Sequence, residues 1–124
     1  MPKTVLLVDD EQDVVLIIRG RLTTWGHQVV TAANGQEALD AVNQHPPDLI
    51  LLDLKMPVMD GPEVCHRLKA DPRFSKIPII LITSSSQKAA TEELSVLRAD
   101  DCVIKPFEPK ELLAKVEKWI GKPA

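Results

Sequence analysis

Five apolar runs punctuate the chain, centred near residues 6, 30, 51, 80 and 103, and each is followed by a stretch with helical signals. Val5-Leu6-Leu7-Val8, Leu49-Ile50-Leu51-Leu52 and Ile79-Ile80-Leu81-Ile82 are continuous rather than alternating, the pattern of strands covered on both faces. The first helix is predicted from Glu11 to Trp25, with Val14, Ile17, Ile18, Leu22 and Trp25 inward and Gly26 ending it. A second opens after Asn34-Gly35, turns Ala38, Leu39 and Val42 inward, and stops at Pro46-Pro47. The third starts at Gly61-Pro62, buries Val64 and Leu68, and closes at Asp71-Pro72. The fourth follows Ser84-Ser85-Ser86, carries Ala90, Leu94 and Leu97 inward, and ends around Arg98. Glu108-Pro109 opens the last, which sets Leu112, Val116, Trp119 and Ile120 against the sheet.

Strand and helix alternate throughout, so the strands are expected to be parallel, since parallel neighbours need a crossover of helical length. The predicted fold is α/β: a doubly wound, five-stranded parallel sheet, (βα)5 and flavodoxin-like, in strand order 2-1-3-4-5. At 124 residues the chain has the size of one domain, taken as 1–124. The final Gly121-Lys122-Pro123-Ala124 reads as a tail or the start of a linker.

Four of the five predicted strands run into a reactive side chain. Val8 leads into Asp9-Asp10, Leu52 into Asp53, Ile82 into Thr83 and Ile104 into Lys105-Pro106. In an open parallel sheet the carboxyl ends emerge at one edge, and ligands bind where the strand order reverses. With the first and third strands adjacent, Asp9, Asp10 and Asp53 crowd together. Their repulsion calls for shared protons or a cation, and magnesium takes such carboxylates together with a substrate phosphate. Asp53 is then placed to attack phosphorus, with Lys105 and the Thr83 hydroxyl as the groups that meet the developing charge. A cis peptide at Lys105-Pro106 is one way of aiming the lysine. Taken singly, each acid could be a helix cap; four such coincidences on one edge are hard to sustain.

Four segments carry a resemblance: Val8-Asp9-Asp10-Glu11, the stretch from Leu52-Asp53-Leu54-Lys55-Met56-Pro57 to Val58-Met59-Asp60-Gly61, Ile82-Thr83-Ser84, and Val103-Ile104-Lys105-Pro106-Phe107. With them the chain resembles, over essentially its whole length, the receiver domain of two-component response regulators. The resemblance implies that Asp53 is the phosphoacceptor, supplied by a phosphohistidine on a sensor histidine kinase or histidine phosphotransfer domain. Asp9, Asp10 and Asp53, with the Lys55 carbonyl, would hold magnesium. Thr83 and Lys105 would contact the phosphoryl group, and the Lys55 side chain would reach over it. It also implies a signalling phosphoacceptor rather than an enzyme, one that assists its own phosphorylation and dephosphorylation while its conformation controls partner binding. Two positions depart from the pattern. Cys102 stands where such receivers usually carry Tyr or Phe coupled to the threonine, and Arg98 where glycine is common. Without an aromatic ring, Thr83 and the Ser84-Ser85-Ser86 loop are expected to carry the response.

Composition narrows the partners. A net charge of -3 with scattered Lys and Arg offers no footprint for nucleic acid. Cys65 and Cys102 show neither metal-ligand nor redox spacing and are expected as buried thiols. No apolar run approaches a membrane span, and Met1-Pro2-Lys3-Thr4 leads directly into a strand; a cytoplasmic location is expected. Val15, Leu16 and Pro106 are the candidates for docking the helical phosphate donor. Leu113 is the candidate for a partner or dimer contact on the face of the fourth and fifth helices. His27, His45 and His66 are expected at the surface. The downstream target, or an attached output domain, leaves no signature.

Three other classes are weighed against the receiver. An aspartyl-phosphate phosphatase of the haloacid-dehalogenase type needs a second aspartate two residues after the nucleophile, where this chain has Lys55. A flavodoxin-like flavin carrier needs hydroxyls and amides in its first loop, which here is acidic, and there is no Tyr in the chain. A receiver that binds without being phosphorylated would not need the complete set of acids, hydroxyl and lysine.

Overall fold

The computed structural model describes residues 3–56 and 59–121; Pro57-Val58 and the expected tail Lys122-Pro123-Ala124 lie outside them. Strands and helices alternate as β1 (Thr4–Val8), α1 (Gln12–Thr24), β2 (Gln28–Ala32), α2 (Gly35–Gln44), β3 (Leu49–Asp53), α3 (Gly61–Ala70), β4 (Ile79–Thr83), α4 (Gln87–Leu97), β5 (Asp101–Ile104) and α5 (Pro109–Ile120). The sheet is parallel in the order β2-β1-β3-β4-β5, as the alternation predicted. Val8 pairs with Leu52 and Asp53 with Ile82, which sets the reactive strand ends side by side.

Because side chains alternate across a strand, each central strand feeds two cores. Leu6, Val8, Ile50, Leu52 and Leu81 face Ala38 and Val42 of α2 and Val64, Cys65 and Leu68 of α3. Val5, Leu7, Leu49, Leu51 and Ile80 face Val15, Ile18 and Leu22 of α1 and Leu112, Leu113 and Val116 of α5. Each fully buried leucine or isoleucine contributes about 1.5–3 kcal/mol, so the sheet is a rigid platform for what its edge carries.

Three expectations are corrected. The inner face of α1 is Val15, Ile18 and Leu22, spaced i, i+3, i+7, whereas Ile17 is 58% exposed and Val15 only 9%; Val15 is therefore core, while Leu16 remains at the surface. Trp25 also lies outside the core, just past the helix. Leu113 is 8% exposed and packs with Leu112 and Val116, because α5 buries a stripe two residues wide, so it belongs to the core rather than to an exposed face. His27 is 3% exposed with neither ring nitrogen hydrogen-bonded, and burial holds its pKa below the usual histidine range.

Two local features position the site. Gly61 sits so close to the end of β3 that a Cβ there would fall 2.7 Å from the Asp53 carbonyl oxygen and 2.7 Å from the Leu54 Cα, and the Asp60 side chain caps α3 by accepting from the Glu63 N–H. At the opposite edge, Lys69 donates to the carbonyls of Ser75 (3.2 Å) and Ile77 (3.4 Å) and to Asp100 Oδ2 (2.9 Å). The same Asp100 oxygen accepts the Ile79 N–H at 2.8 Å.

Candidate functional site

β1 delivers Asp9, whose N–H still donates to Ala32 at 3.1 Å, so the residue continues the strand and its carboxylate is carried over the sheet edge. Oδ1 accepts the Glu11 N–H at 2.9 Å, which also secures the approach to α1. Oδ2 has no hydrogen-bond partner. β3 delivers Asp53, whose Oδ1 accepts the Lys55 N–H at 3.2 Å. Asp9, Asp10 and Asp53 each bring one oxygen within 4.8 Å of the others. Asp9 and Asp53 are buried, and Asp10 is exposed.

β5 supplies the cation. Lys105 follows a backbone bond from its N–H to the Thr83 carbonyl at 2.7 Å, and its peptide bond to Pro106 is cis. Its Nζ donates to Glu11 Oε1 at 3.0 Å and stands 3.6 Å from both Asp9 Oδ2 and Asp53 Oδ2. Burial pulls the Lys105 pKa down, but the Glu11 hydrogen bond and the charges of Asp53 and Asp9 outweigh it and leave it raised. Asp9 is pushed up to about 6, chiefly by burial and further by Asp53, against the Glu11 N–H and Lys105.

The Lys105 ammonium thus faces Asp9, Glu11 and Asp53, with Asp10 in the same cluster of acids. The donor set is all oxygen, tightly clustered, and contains a buried carboxylate oxygen with no hydrogen bond. That fits a hard divalent cation of the magnesium kind. Lys55 places its backbone N–H on Asp53, which brings its carbonyl into the same neighbourhood by chain connectivity; its side chain is exposed.

Thr83 ends β4 on the same edge, but its hydroxyl is engaged elsewhere. Oγ1 lies 3.0 Å from Ser85 Oγ and 3.2 Å from Glu93 Oε1 on α4. Glu93 escaped sequence reasoning; the only signal was its place between Ala90, Leu94 and Leu97 on the inner half of the helix. A cavity of about 430 Å³ joins these groups, lined by Asp53, Lys55, Thr83, Ser85 and Glu93 among others. An apolar groove of about 580 Å³ runs beside it, between α1 and α5, past Ile17, Pro106 and Phe107.

Cys102 is half-buried and packs against the core on the α2–α3 side of the sheet. Asp101 beside it is buried and accepts from Lys115 Nζ (2.8 Å), Trp119 Nε1 (3.0 Å) and the Cys102 N–H (2.9 Å). The Trp119 ring is 36% exposed rather than set into the core as its spacing suggested, and it reaches the sheet through its indole N–H.

Residues 5–117 match the family model described as the response regulator receiver domain. The chain belongs to that family. Receivers are signalling phosphoacceptors of two-component systems rather than enzymes of the usual kind, and they work with histidine kinases and output domains.

A Probable transcriptional regulator ycf27 of Cyanophora paradoxa is 44% identical over 120 residues, covering 97% of this chain and 49% of that protein. The chain spans about half the length of the curated relatives it matches. Among solved receivers, chemotaxis protein CheY4 of Vibrio cholerae superposes with a TM-score of 0.89 at 29% identity, covering 96% of this chain and 99% of that one. The receiver domain of sensor histidine kinase PA1611 from Pseudomonas aeruginosa PAO1 has a magnesium ion coordinated in its active-site cleft. It matches with a TM-score of 0.88 at 28% identity over 98% of this chain and 100% of that one.

Proposed function

We infer that this receiver, taken as residues 1–124, accepts a phosphoryl group on Asp53 from a phosphohistidine. The observation that carries the reading is the juxtaposition of the Asp53 carboxylate with Asp9 and Asp10 within 4.8 Å and with the Lys105 ammonium at 3.6 Å. An oxygen of Asp53 forms the new bond to phosphorus as the donor's P–N bond breaks. Lys105 meets the charge that develops on the equatorial oxygens, and Thr83 supplies a hydroxyl donor once it turns from Glu93. Asp9, Asp10, Asp53 and the Lys55 carbonyl would hold magnesium, which when bound neutralises the acids and the incoming phosphate. Lys105, Thr83 and Lys55 are in this sense the protein's assistance to its own phosphorylation and dephosphorylation.

The helical donor, a sensor histidine kinase or a phosphotransfer domain, is assigned to the apolar groove between α1 and α5, with exposed Ile17 and Pro106 in its lining as contacts and exposed Leu16 on the same helix. The output is a further protein or domain, and Val96, exposed on α4, offers an apolar contact for it or for a second copy. A cytoplasmic site of action accords with a donor of this kind; no helix among the described residues is long and apolar enough to cross a membrane.

Intact-mass measurement with a small acyl-phosphate donor tests the assignment. A gain of one phosphoryl group is expected with magnesium, and none in chelator or in Asp53→Ala. Equal labelling of Asp53→Ala, or undiminished labelling in chelator, would sink it.

A further inference from the structure

Thr83 has a single hydroxyl proton, and in the resting protein α4 holds it. Glu93 reaches toward β4 with both carboxylate oxygens, Oε1 at 3.2 Å from Thr83 Oγ1 and Oε2 at 3.2 Å from Ser85 Oγ. A carboxylate only accepts, so each hydroxyl donates to Glu93. The Ser85 N–H meanwhile donates to Thr83 Oγ1 at 3.1 Å. The 3.0 Å separation of the two hydroxyl oxygens therefore needs no proton of its own. Among the described residues no Lys or Arg forms an ion pair with Glu93, and the side-chain partners of its carboxylate are these two hydroxyls.

We propose that Glu93 is a positioning residue: it holds Thr83 and Ser85 toward α4 in the unphosphorylated receiver and is released, with its helix, when a phosphoryl group on Asp53 takes the Thr83 hydroxyl. The inference rests on Asp53 as phosphoacceptor. Asp53, Thr83, Ser85 and Glu93 line one cavity, and a phosphoryl group brings close to two negative charges and three acceptor oxygens into it. Once Thr83 donates to that group, Glu93 loses a donor and faces a like charge. Both changes drive it the same way, out of the cavity. The thiol of Cys102 has no ring to swing between two positions, so the carboxylate on α4 carries the coupling that an aromatic residue at that position would otherwise supply.

The test compares the whole chain with its Glu93→Ala and Glu93→Gln variants. Labelling rates come from intact mass with a small acyl phosphate and magnesium. Amide shifts of α4 are recorded before and after loading with beryllofluoride as the phosphoryl mimic. Glu93→Ala frees the hydroxyls in advance, so labelling should quicken about fivefold, the worth of one hydrogen bond no longer broken on the way. Its resting α4 shifts should already lie toward the loaded positions of the wild type. Glu93→Gln keeps an acceptor for Thr83 but no charge, so its resting shifts should stay near wild type and its displacement on loading should shrink.

Wild-type labelling rate and wild-type shifts in Glu93→Ala would overturn the proposal. If the alanine variant does not fold, full wild-type displacement in Glu93→Gln would overturn it instead. A folded wild type that takes up no phosphoryl group withdraws the Asp53 reading and this one with it; a labelled wild type beside indifferent variants withdraws only the role of Glu93.

Discussion

Replacing Asp9 with asparagine should stabilise the magnesium-free protein while silencing it. Asp9 is 1% exposed, has one oxygen without a hydrogen bond, and shares a 4.8 Å cluster with two other carboxylates. Its carboxyl is raised from 3.8 to about 6, which at about 1.4 kcal/mol per tenfold change is a cost of roughly 3 kcal/mol for the ionised form. The asparagine amide must still find partners, so about half of that is expected as a gain, on the order of 1–2 kcal/mol. For a domain of this size it corresponds to roughly 4–8 °C in Tm.

The pH dependence has a fixed sign. A carboxyl whose folded pKa lies above its unfolded value contributes stability below the unfolded pKa and loses it as pH rises through the folded one. In chelator the gap between variant and wild type should therefore be small near pH 4 and full above about 6. Thermal melts followed by circular dichroism at several pH values read it directly. Magnesium should raise the wild-type Tm and raise that of Asp9→Asn much less. If the variant melts below the wild type at neutral pH in chelator, or the gap does not grow between those limits, the account of Asp9 as a carboxylate made costly by burial, and further by Asp53, is wrong.

Arg98 ends α4 with φ 59 and ψ 29, a left-handed conformation, and its side chain makes no hydrogen bond or ion pair among the described residues. Relief of that conformation outweighs the extra freedom glycine has when unfolded, so Arg98→Gly should gain about 0.5–1 kcal/mol and roughly 2–4 °C in Tm; a clear drop would show that the side chain makes a stabilising contact. Lys55 has its side chain exposed beside the Asp53 cavity, so Lys55→Ala should change the decay of the aspartyl phosphate and leave the melting temperature nearly unchanged. Identical decay rates, followed by intact mass after donor removal, would take the ammonium out of the site.

The sheet order and the gathering of Asp9, Asp10, Asp53, Thr83 and Lys105 on one edge were legible because the strands are uninterrupted apolar runs and each is punctuated by a polar residue. The phase of α1 was not. Val14 to Ile18 is apolar at every position, so the pattern cannot say which arc faces the sheet, and the protein buries Val15 rather than Ile17. Leu113 was misread for a related cause, since α5 buries two adjacent leucines. Burial of His27 carries no local mark, as no polar neighbour in sequence announces it. Glu93, Lys69 and Asp101 act on groups far along the chain or on another element. Their roles exist only once β4, β5 and the helices are assembled.

The clasp made by Lys69 and Asp100 turns α4 into a lever. Asp100 is tied to the start of β4 by two hydrogen bonds, its N–H to the Ile79 carbonyl at 2.9 Å and its Oδ2 from the Ile79 N–H at 2.8 Å. Just before it, the Cys65 thiol donates to the Leu97 carbonyl at 3.2 Å, kept protonated by burial that pushes its pKa up to about 11. The carboxyl-terminal end of the helix is thus the fulcrum, while the half nearer Ser86 is tied to β4 through Glu93 and swings only when those bonds are released. Eleven residues at about 1.5 Å each make an arm of roughly 16 Å, so every degree of tilt moves the far end by about 0.3 Å. A displacement of a few tenths of an ångström at Glu93, partway along that arm, is magnified at the surface where a partner would sense it.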